Sequence, residues 1–371
     1  MVIQMSRLAR ACAKLRFKIF RLMSIMLLGR ECGQSIIGQC VFSDLEFAND
    51  ETVRARISQR KPLSEAAVQE YNLQNVPKCW RTMFSRCTVF PRRYAYVLND
   101  VAIGPESGVV YMPSRGYFAN DGIIFIPSVG NSLYLFQNGI QEVMCRTQTL
   151  DVAVPVCPMP VIGYYHDMFE CLLHVIIARR VFGDIMVVVA GKRPKYIDQM
   201  LEFIGLEESR IVVSDCPVLV KKGILIPRWN DSGENLREDV CELREALVRR
   251  LPDVGGVAEK VYISRKKSRR PLPNETEIEM MLADGGFKIV YFEDMSFSEQ
   301  LCTIRAAKVI VAPHGAGLAN IVVARPGTRI VEIMTQGWAN SCYGHLATSL
   351  GLDYTCIDAD DGSSYNLLKD L

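Results

Sequence analysis

The chain has thirteen cysteines among 371 residues but no Cys-x-x-Cys pair. Zinc ribbons and thioredoxin-type redox motifs need that close spacing, and an odd, scattered set does not make a disulfide scaffold. The cysteines therefore read as small buried hydrophobes in a reducing compartment. There is no Gly-x-Ser-x-Gly nucleophile elbow and no Walker A motif. No internal repeat or low-complexity tract interrupts the text. The net charge of +2 provides no global field for nucleic acid, which is excluded as a partner. Long apolar runs are missing from the first thirty residues, where the longest uncharged stretch, 22–29, is eight residues. That is too short to span a bilayer and short for a signal-peptide core.

What is present is an ordinary globular mixture. Apolar residues make up 49% and charged residues 23%, enough material for a full core, and the length suggests two or three domains. The first thirty residues carry Arg7, Arg10, Lys14, Arg16, Lys18, Arg21 and Arg30 with no acid before Glu31. Leu8, Cys12, Leu15, Ile19, Leu22 and Met26 recur at spacings of four and three, the stripe of an amphipathic helix. Two readings fit: a helix lying on anionic lipid, or one that docks on the protein's own body or frays.

Residues 31–75 are mixed, with a helical patch expected at 64–71. From about 88 to 148 short β-rich runs are broken by Gly, Pro, Asn and Asp, the pattern of hairpins. From Pro160 onward strand and helix patterns alternate, which predicts parallel, doubly wound sheets. The polar break at 228–235 is the best linker candidate. The expected division is a basic segment 1–30, an acceptor-side domain 31–232 containing the β-rich part, a nucleotide-binding domain 233–345 and a tail 346–371.

Three constellations carry chemistry. The first is Pro313-His314-Gly315-Ala316-Gly317-Leu318-Ala319-Asn320, placed at the carboxyl end of a strand, where open α/β sheets bind ligands. Glycines at 315 and 317 let backbone approach a ligand, and the helix that follows offers N–H groups to an anion. The pattern is one residue away from the dinucleotide fingerprint, with Glu332 coming 15 residues after Gly317. It also suits a sugar nucleotide, with His314 near the diphosphate and Glu332 near the ribose, and it is open to a Gly-assisted tight turn around a core histidine. The second is Arg265, Lys266, Lys267, Arg269 and Arg270, five positive charges in six residues just past another strand. Arginine forks suit phosphate oxygens, although a charge run can equally be a solvated loop. The third is His166, Glu170 and His174 at i, i+4 and i+8 on one helical face, with Asp167 beside them. A histidine with an adjacent carboxylate can act as an oriented general base, and the same residues can simply line a packed interface. The His spacing of eight does not match the His-x-x-x-His of a helical zinc site, so no metal is expected. Asp358-Ala359-Asp360 has the Asp-x-Asp form of metal-dependent sugar transferases but lies in a polar tail that reads as a solvated loop.

From about 160 to 335 the text "YYHDMFECL", "YISRKKSRRPLPNETEIEMML" and "GFKIVYFEDMSFSEQLCTIRAAKVIVAPHGAGLANIVVARPGTRIVEI" resembles glycosyltransferase family 61. The pattern carries over to His166 and Glu170, to Arg265, Arg270, Asn274 and Glu275, to Glu299 and Gln300, and to His314, Gly315, Gly317, Asn320 and Glu332. The resemblance implies a GT-B-like α/β fold, two Rossmann-like doubly wound domains facing a cleft. It implies a nucleotide-sugar donor held by the C-terminal domain and inverting, metal-independent transfer to a hydroxyl of a glycan or lipid-linked glycan. The donor site is then Arg265, Arg270, Asn274, His314, Gly315, Ala316, Gly317, Asn320 and Glu332. The base is His166, Asp167 or Glu170, the donor is expected to be a UDP-sugar, and no other cofactor is expected. Capsule or exopolysaccharide synthesis at the inner face of the cell membrane is the implied setting. A non-catalytic sugar-nucleotide or polysaccharide-binding protein, and a dinucleotide oxidoreductase, remain as other classes.

Overall fold

The computed structural model describes most of residues 57–118, 148–156, 163–226, 233–252, 258–335, 340–359 and 365–371. The amphipathic segment 1–30, most of the linker 228–235, much of the β-rich stretch after 118, Pro160 and Asp360 lie outside the described residues.

Strand β1 (Ile57–Ser64) is followed by the ribbon β2 (Ala67–Glu70) and β3 (Cys87–Phe90). The helical patch expected at 64–71 is thus strand. Ala67 and Gln69 alternate with Val68 and Glu70 between half-buried and exposed, the two-residue period of a strand. Strand β4 (Arg93–Ile103) leads to β5 (Val110–Met112) and β6 (Gly116–Phe118), and β7 (Thr149–Pro155) to a long helix, α1. The helix α1 is built from an α-turn Tyr164–His166, a π-helical stretch Asp167–Leu172 and an α-helix Leu173–Phe182. Then come β8 (Met186–Ala190), α2 (Lys195–Phe203), β9 (Ile211–Ser214), β10 (Val218–Leu225) and α3 (Arg237–Val248).

These strands form a mixed sheet in the order β6-β5-β4-β10-β7-β8-β9, with β1 also on β4. Only β10, β7, β8 and β9 run parallel. β4 is antiparallel to β1, β5 and β10, so this half is not the doubly wound sheet expected. The antiparallel part comes from β1, β4, β5 and β6, which precede the β/α units in the chain.

The second half runs β11 (Lys260–Ile263), α4 (Glu275–Asp284), β12 (Lys288–Val290), α5 (Phe297–Ala306), β13 (Val309–Pro313) and β14 (Arg329–Met334). Helix α5 opens with the capping box expected at Ser296 and Glu299. Then α6 (Cys342–Leu350) and β15 (Asp353–Asp358) complete a five-stranded, all-parallel sheet in the order β12-β11-β13-β14-β15. The sheet therefore continues beyond residue 345, and Asp358 ends a strand paired with β14 instead of sitting in a solvated loop. Apolar runs such as Val309-Ile310-Val311-Ala312 suit strands buried on both faces. One apolar core joins the near faces of both sheets through α1, α2, α3, α5 and α6, and a separate cluster covers the far face of the parallel sheet.

Candidate active site

The strand order reverses between β11 and β13: β12 lies outward of β11 on one side, while β13, β14 and β15 extend on the other. Loops at such a switch point diverge and leave a crevice at the carboxyl ends of the strands. The loop after β11 carries the basic run, and the loop after β13 carries His314 to Gly317. They touch: a Cβ placed on Gly315 would lie 2.8 Å from the Arg265 guanidinium. Gly315 thus makes room for Arg265. Gly317 does the same for the Phe292 ring, 3.2 Å from where its Cβ would stand.

The basic loop is held from beneath by two glutamates of α4. Buried Glu275 accepts hydrogen bonds from Tyr262 Oη at 2.8 Å, from the backbone N–H of Arg265 at 2.9 Å and from that of Leu272 at 2.9 Å. It pins both ends of the loop. Ser264 Oγ lies 2.7 Å from Glu279 and 3.1 Å from Glu275. Burial alone would raise the Glu279 carboxyl, but bonds from Ser264, Tyr291 and Lys266 outweigh it and hold it below the usual range. Asn274 stands at the N-cap, yet its side chain makes no capping bond, and the Glu275 carboxylate takes the Leu272 N–H instead.

This arrangement sorts the five cations. Lys266 pairs with Glu279 and Lys267 with Asp294. Arg269 and Arg270 are exposed. Arg265 is half-buried, donates to the carbonyl oxygen of His314 and reaches Ser268 Oγ at 3.3 Å. Its pKa is lowered, first by desolvation and then by the neighbouring positive charge of Arg270. Two guanidiniums near one another are an unfavourable arrangement that an anion relieves.

His314 is fastened to the sheet. Its Nδ1 lies 2.5 Å from Glu332 Oε1, and the Tyr354 hydroxyl donates to Glu332 Oε2 at 2.6 Å. A carboxylate only accepts, so Nδ1 carries the proton and Nε2 is the atom left for a ligand. Glu332 is 0% exposed, so it acts on the site through His314. Burial first, then the Glu332 charge, pushes the Tyr354 phenol well up. The helix expected from Gly315 onward is a 3₁₀ helix, Ala316–Val323, with six buried residues. Asn320, within it, is fully buried with both ends of its amide bonded.

On α1, His166 Nδ1 lies 2.9 Å from Glu170 Oε1, with side-chain exposures of 16% and 8%. The i, i+4 spacing survives the π-helical stretch. Asp167, 3% exposed, turns the other way, where Tyr196 donates to its Oδ2 at 2.6 Å and its Oδ1 has no hydrogen-bond partner. Burial pushes this carboxyl up to about 6 against the opposing Tyr196 bond. His174, one further turn along, shares with Glu170, Arg93, Glu234 and Asp239 the lining of a small cavity of about 40 Å³.

The two halves of the site meet at Tyr343, the second residue of α6. Its ring centroid is 5.3 Å from that of His314 and 5.7 Å from that of Tyr165, whose hydroxyl accepts from Asn235 at 2.8 Å. The structure therefore brings the first turn of α1, the Arg265 loop and the His314 turn together around Tyr343. Tyr343, Tyr354 and Glu279 were not singled out from the sequence. Tyr343 lies two residues inside the boundary read at 345 and Tyr354 nine beyond it, and only a strand pattern in "DYTCID" pointed past that boundary.

A model of the family described as glycosyltransferase 61 matches residues 136–331, just over half of the chain. The rice (Oryza sativa subsp. japonica) protein named beta-1,2-xylosyltransferase XAX1 is 20% identical over 304 residues, covering 69% of this chain and 53% of that protein. A second rice protein, beta-1,2-xylosyltransferase RCN11, is 33% identical over 67 residues, 18% of this chain and 13% of its own. An Arabidopsis thaliana beta-1,2-xylosyltransferase is 40% identical over 60 residues, 16% of this chain and 11% of its own. The chain spans about half the length of the first rice protein and less of the other two.

Proposed function

The chain belongs to glycosyltransferase family 61, and from that premise we propose that it transfers a sugar from a nucleotide-sugar donor to a glycan hydroxyl with inversion, in a GT-B arrangement. The observation that carries this reading is the pair of loops at the β11–β13 switch point. There Arg265, with Arg270 near it, donates to the carbonyl oxygen of His314, whose Nε2 is presented by a buried carboxylate. A diphosphate fits that chemistry: the guanidiniums supply charge-assisted hydrogen bonds, and the imidazole adds a donor when protonated.

His166 is the base in this reading, because Glu170 accepts from its Nδ1 and orients the imidazole. The acceptor oxygen attacks the anomeric carbon as the bond from that carbon to the diphosphate oxygen breaks. The proton goes to His166 Nε2 and the electron pair leaves with the diphosphate, a single displacement with inversion. Asp167, buried against Tyr196, supports the helix instead of touching the acceptor. The matched relatives are named β-1,2-xylosyltransferases, which favours xylosyl transfer from UDP-xylose to a 2-hydroxyl over the capsule setting. Independence from metal and association with a membrane surface belong to the same proposal.

The test is transfer from a panel of UDP-sugars, UDP-xylose included, to methyl glycosides with a free 2-hydroxyl, with and without EDTA. The expected result is transfer unchanged by chelation. Loss restored by manganese would overturn metal independence and bring Asp358 and Asp360 forward. UDP binding without turnover of any donor would favour a binding protein.

A further inference from the structure

Tyr164 opens α1, two residues before His166. Its hydroxyl donates to Asn320 Oδ1 at 2.6 Å, across to the 3₁₀ helix that follows the His314 turn. Asn320 Nδ2 donates to Gln300 Oε1 at 3.0 Å, and Gln300 Nε2 donates to the carbonyl oxygens of Phe292 and Met295 at 2.9 and 3.1 Å. The Phe292 ring lies against Gly317, and Asp294, in the same turn, pairs with Lys267 of the basic loop. A hydrogen-bonded chain therefore runs from the helix of the base to the floor of the donor turn.

Its direction is fixed. The Phe292 and Met295 carbonyls can only accept, so Gln300 must turn its amide nitrogen to them and its oxygen to Asn320. Asn320 must then present nitrogen to Gln300 and oxygen to Tyr164, and Tyr164 must donate. Burial pushes the Tyr164 phenol well up, so it keeps its proton at working pH. Any flip leaves buried polar groups facing like groups, and a fully satisfied buried network of this kind specifies one geometry. A second tie lies alongside: the Phe297 N–H donates to Gln199 Oε1 of α2 at 3.0 Å, and the Tyr164 ring packs edge-on to Tyr196 at 5.2 Å.

We propose that Tyr164, Asn320 and Gln300 are positioning residues, a one-way hydrogen-bonded strut that sets His166 at its working distance from the His314 turn. It rests on the reading of His166 as the base. With the strut cut, donor still binds but the acceptor proton is taken less often.

The decisive variant is Tyr164→Phe, which keeps the ring and removes the one donor. UDP-xylose with a methyl glycoside acceptor gives kcat and KM, UDP titration gives the donor-site Kd, and urea denaturation gives stability. The expected result is kcat lowered at least tenfold with UDP Kd within twofold of wild type, and a urea midpoint that falls modestly because buried Asn320 Oδ1 loses its donor. Asn320→Asp still accepts from Tyr164 but opposes oxygen to Gln300 Oε1, and should lower kcat in the same way. Tyr164→Phe at full kcat, or a fall in UDP affinity as large as the fall in kcat, would overturn the strut. His166→Ala, measured alongside, separates the two levels. If His166→Ala turns over at the wild-type rate, the base assignment and the strut built on it both fall. If His166→Ala is inactive while Tyr164→Phe is fully active, the strut alone falls.

Discussion

His166 and Glu170 meet across one turn of a helix, whereas His314 and Glu332 meet across two neighbouring strands. The first pair is partly open to solvent, and its geometry follows from i, i+4 spacing alone. The second is sunk in the parallel sheet, with Glu332 0% exposed and held on its other oxygen by Tyr354. Removing the imidazole from the tertiary pair would leave an uncompensated carboxylate at full depth, which is costly, and removing it from the local pair leaves a carboxylate nearer the surface. Turnover should depend most on the first, and folding with donor binding on the second.

The sharpest way to break this contrast is His166→Ala. Loss of a general base costs about 10²–10⁴-fold in turnover. Stability should fall less than in His314→Ala, because this pair is less deeply buried. UDP release from UDP-xylose in the presence of acceptor reads the first quantity and urea denaturation the second. Wild-type turnover would move the base elsewhere.

His314→Ala tests the other side. Removing one partner of a buried pair costs about 3–5 kcal/mol of stability. A urea midpoint unchanged in this variant would show that Glu332 does not depend on the imidazole. A retained UDP affinity would remove His314 from the donor site.

Asp167 lies between these extremes, buried like Glu332 but on the helix of His166. Its carboxyl stands at about 6 in the fold against an ordinary 3.8. Between those values the folded chain binds more protons than the unfolded one, so this group's contribution to stability falls as pH rises from about 4 to about 6. At 1.36 kcal/mol per pKa unit the full loss is at most about 3 kcal/mol. Asp167→Asn keeps an oxygen for Tyr196 and cannot ionise, so its stability should decline less than wild type's across that window. Equal slopes for the two proteins, from urea midpoints at pH 4.5 and 7, would contradict the buried titration.

The same contrast explains what could be read from the sequence. His166 and Glu170 were legible because helical spacing is a local property. The strands of the parallel sheet were legible because strands buried on both faces read as continuous apolar runs. His314 and Glu332 were each singled out, but not as partners, since their contact depends on the adjacency of β13 and β14. The strut was also out of reach: Tyr164, Gln300 and Asn320 come from three separate elements. Ala67–Glu70 was misread because four residues are too few to tell a strand from a helix without the partner strand Cys87–Phe90.

Arg265→Ala and Arg270→Ala carry the comparison to the donor loop. Each should lose a charge-assisted phosphate contact, about 1.5–3 kcal/mol of UDP affinity. Unchanged affinity in both, with folding intact, would remove the phosphate role from this loop.

The smallest expected effect belongs to Lys266→Ala and Lys267→Ala, and it is the one that separates composition from geometry. By composition all five cations of the run are equivalent. In the fold Lys266 is occupied by Glu279 and Lys267 by Asp294, the latter pair about half exposed on both sides. Such pairs contribute only about 0–1 kcal/mol, and a lysine already paired has little field left for a diphosphate. Arg265 is anchored to the His314 carbonyl with its charge beside Arg270, so the guanidiniums and not the ammoniums point to the anion. UDP affinity in each lysine variant should therefore stay within about threefold of wild type, the equivalent of under 1 kcal/mol. If either lysine variant weakens UDP as much as Arg265→Ala does, the run binds phosphate as an undivided charge cloud, and the division made by Glu279 and Asp294 has no functional meaning.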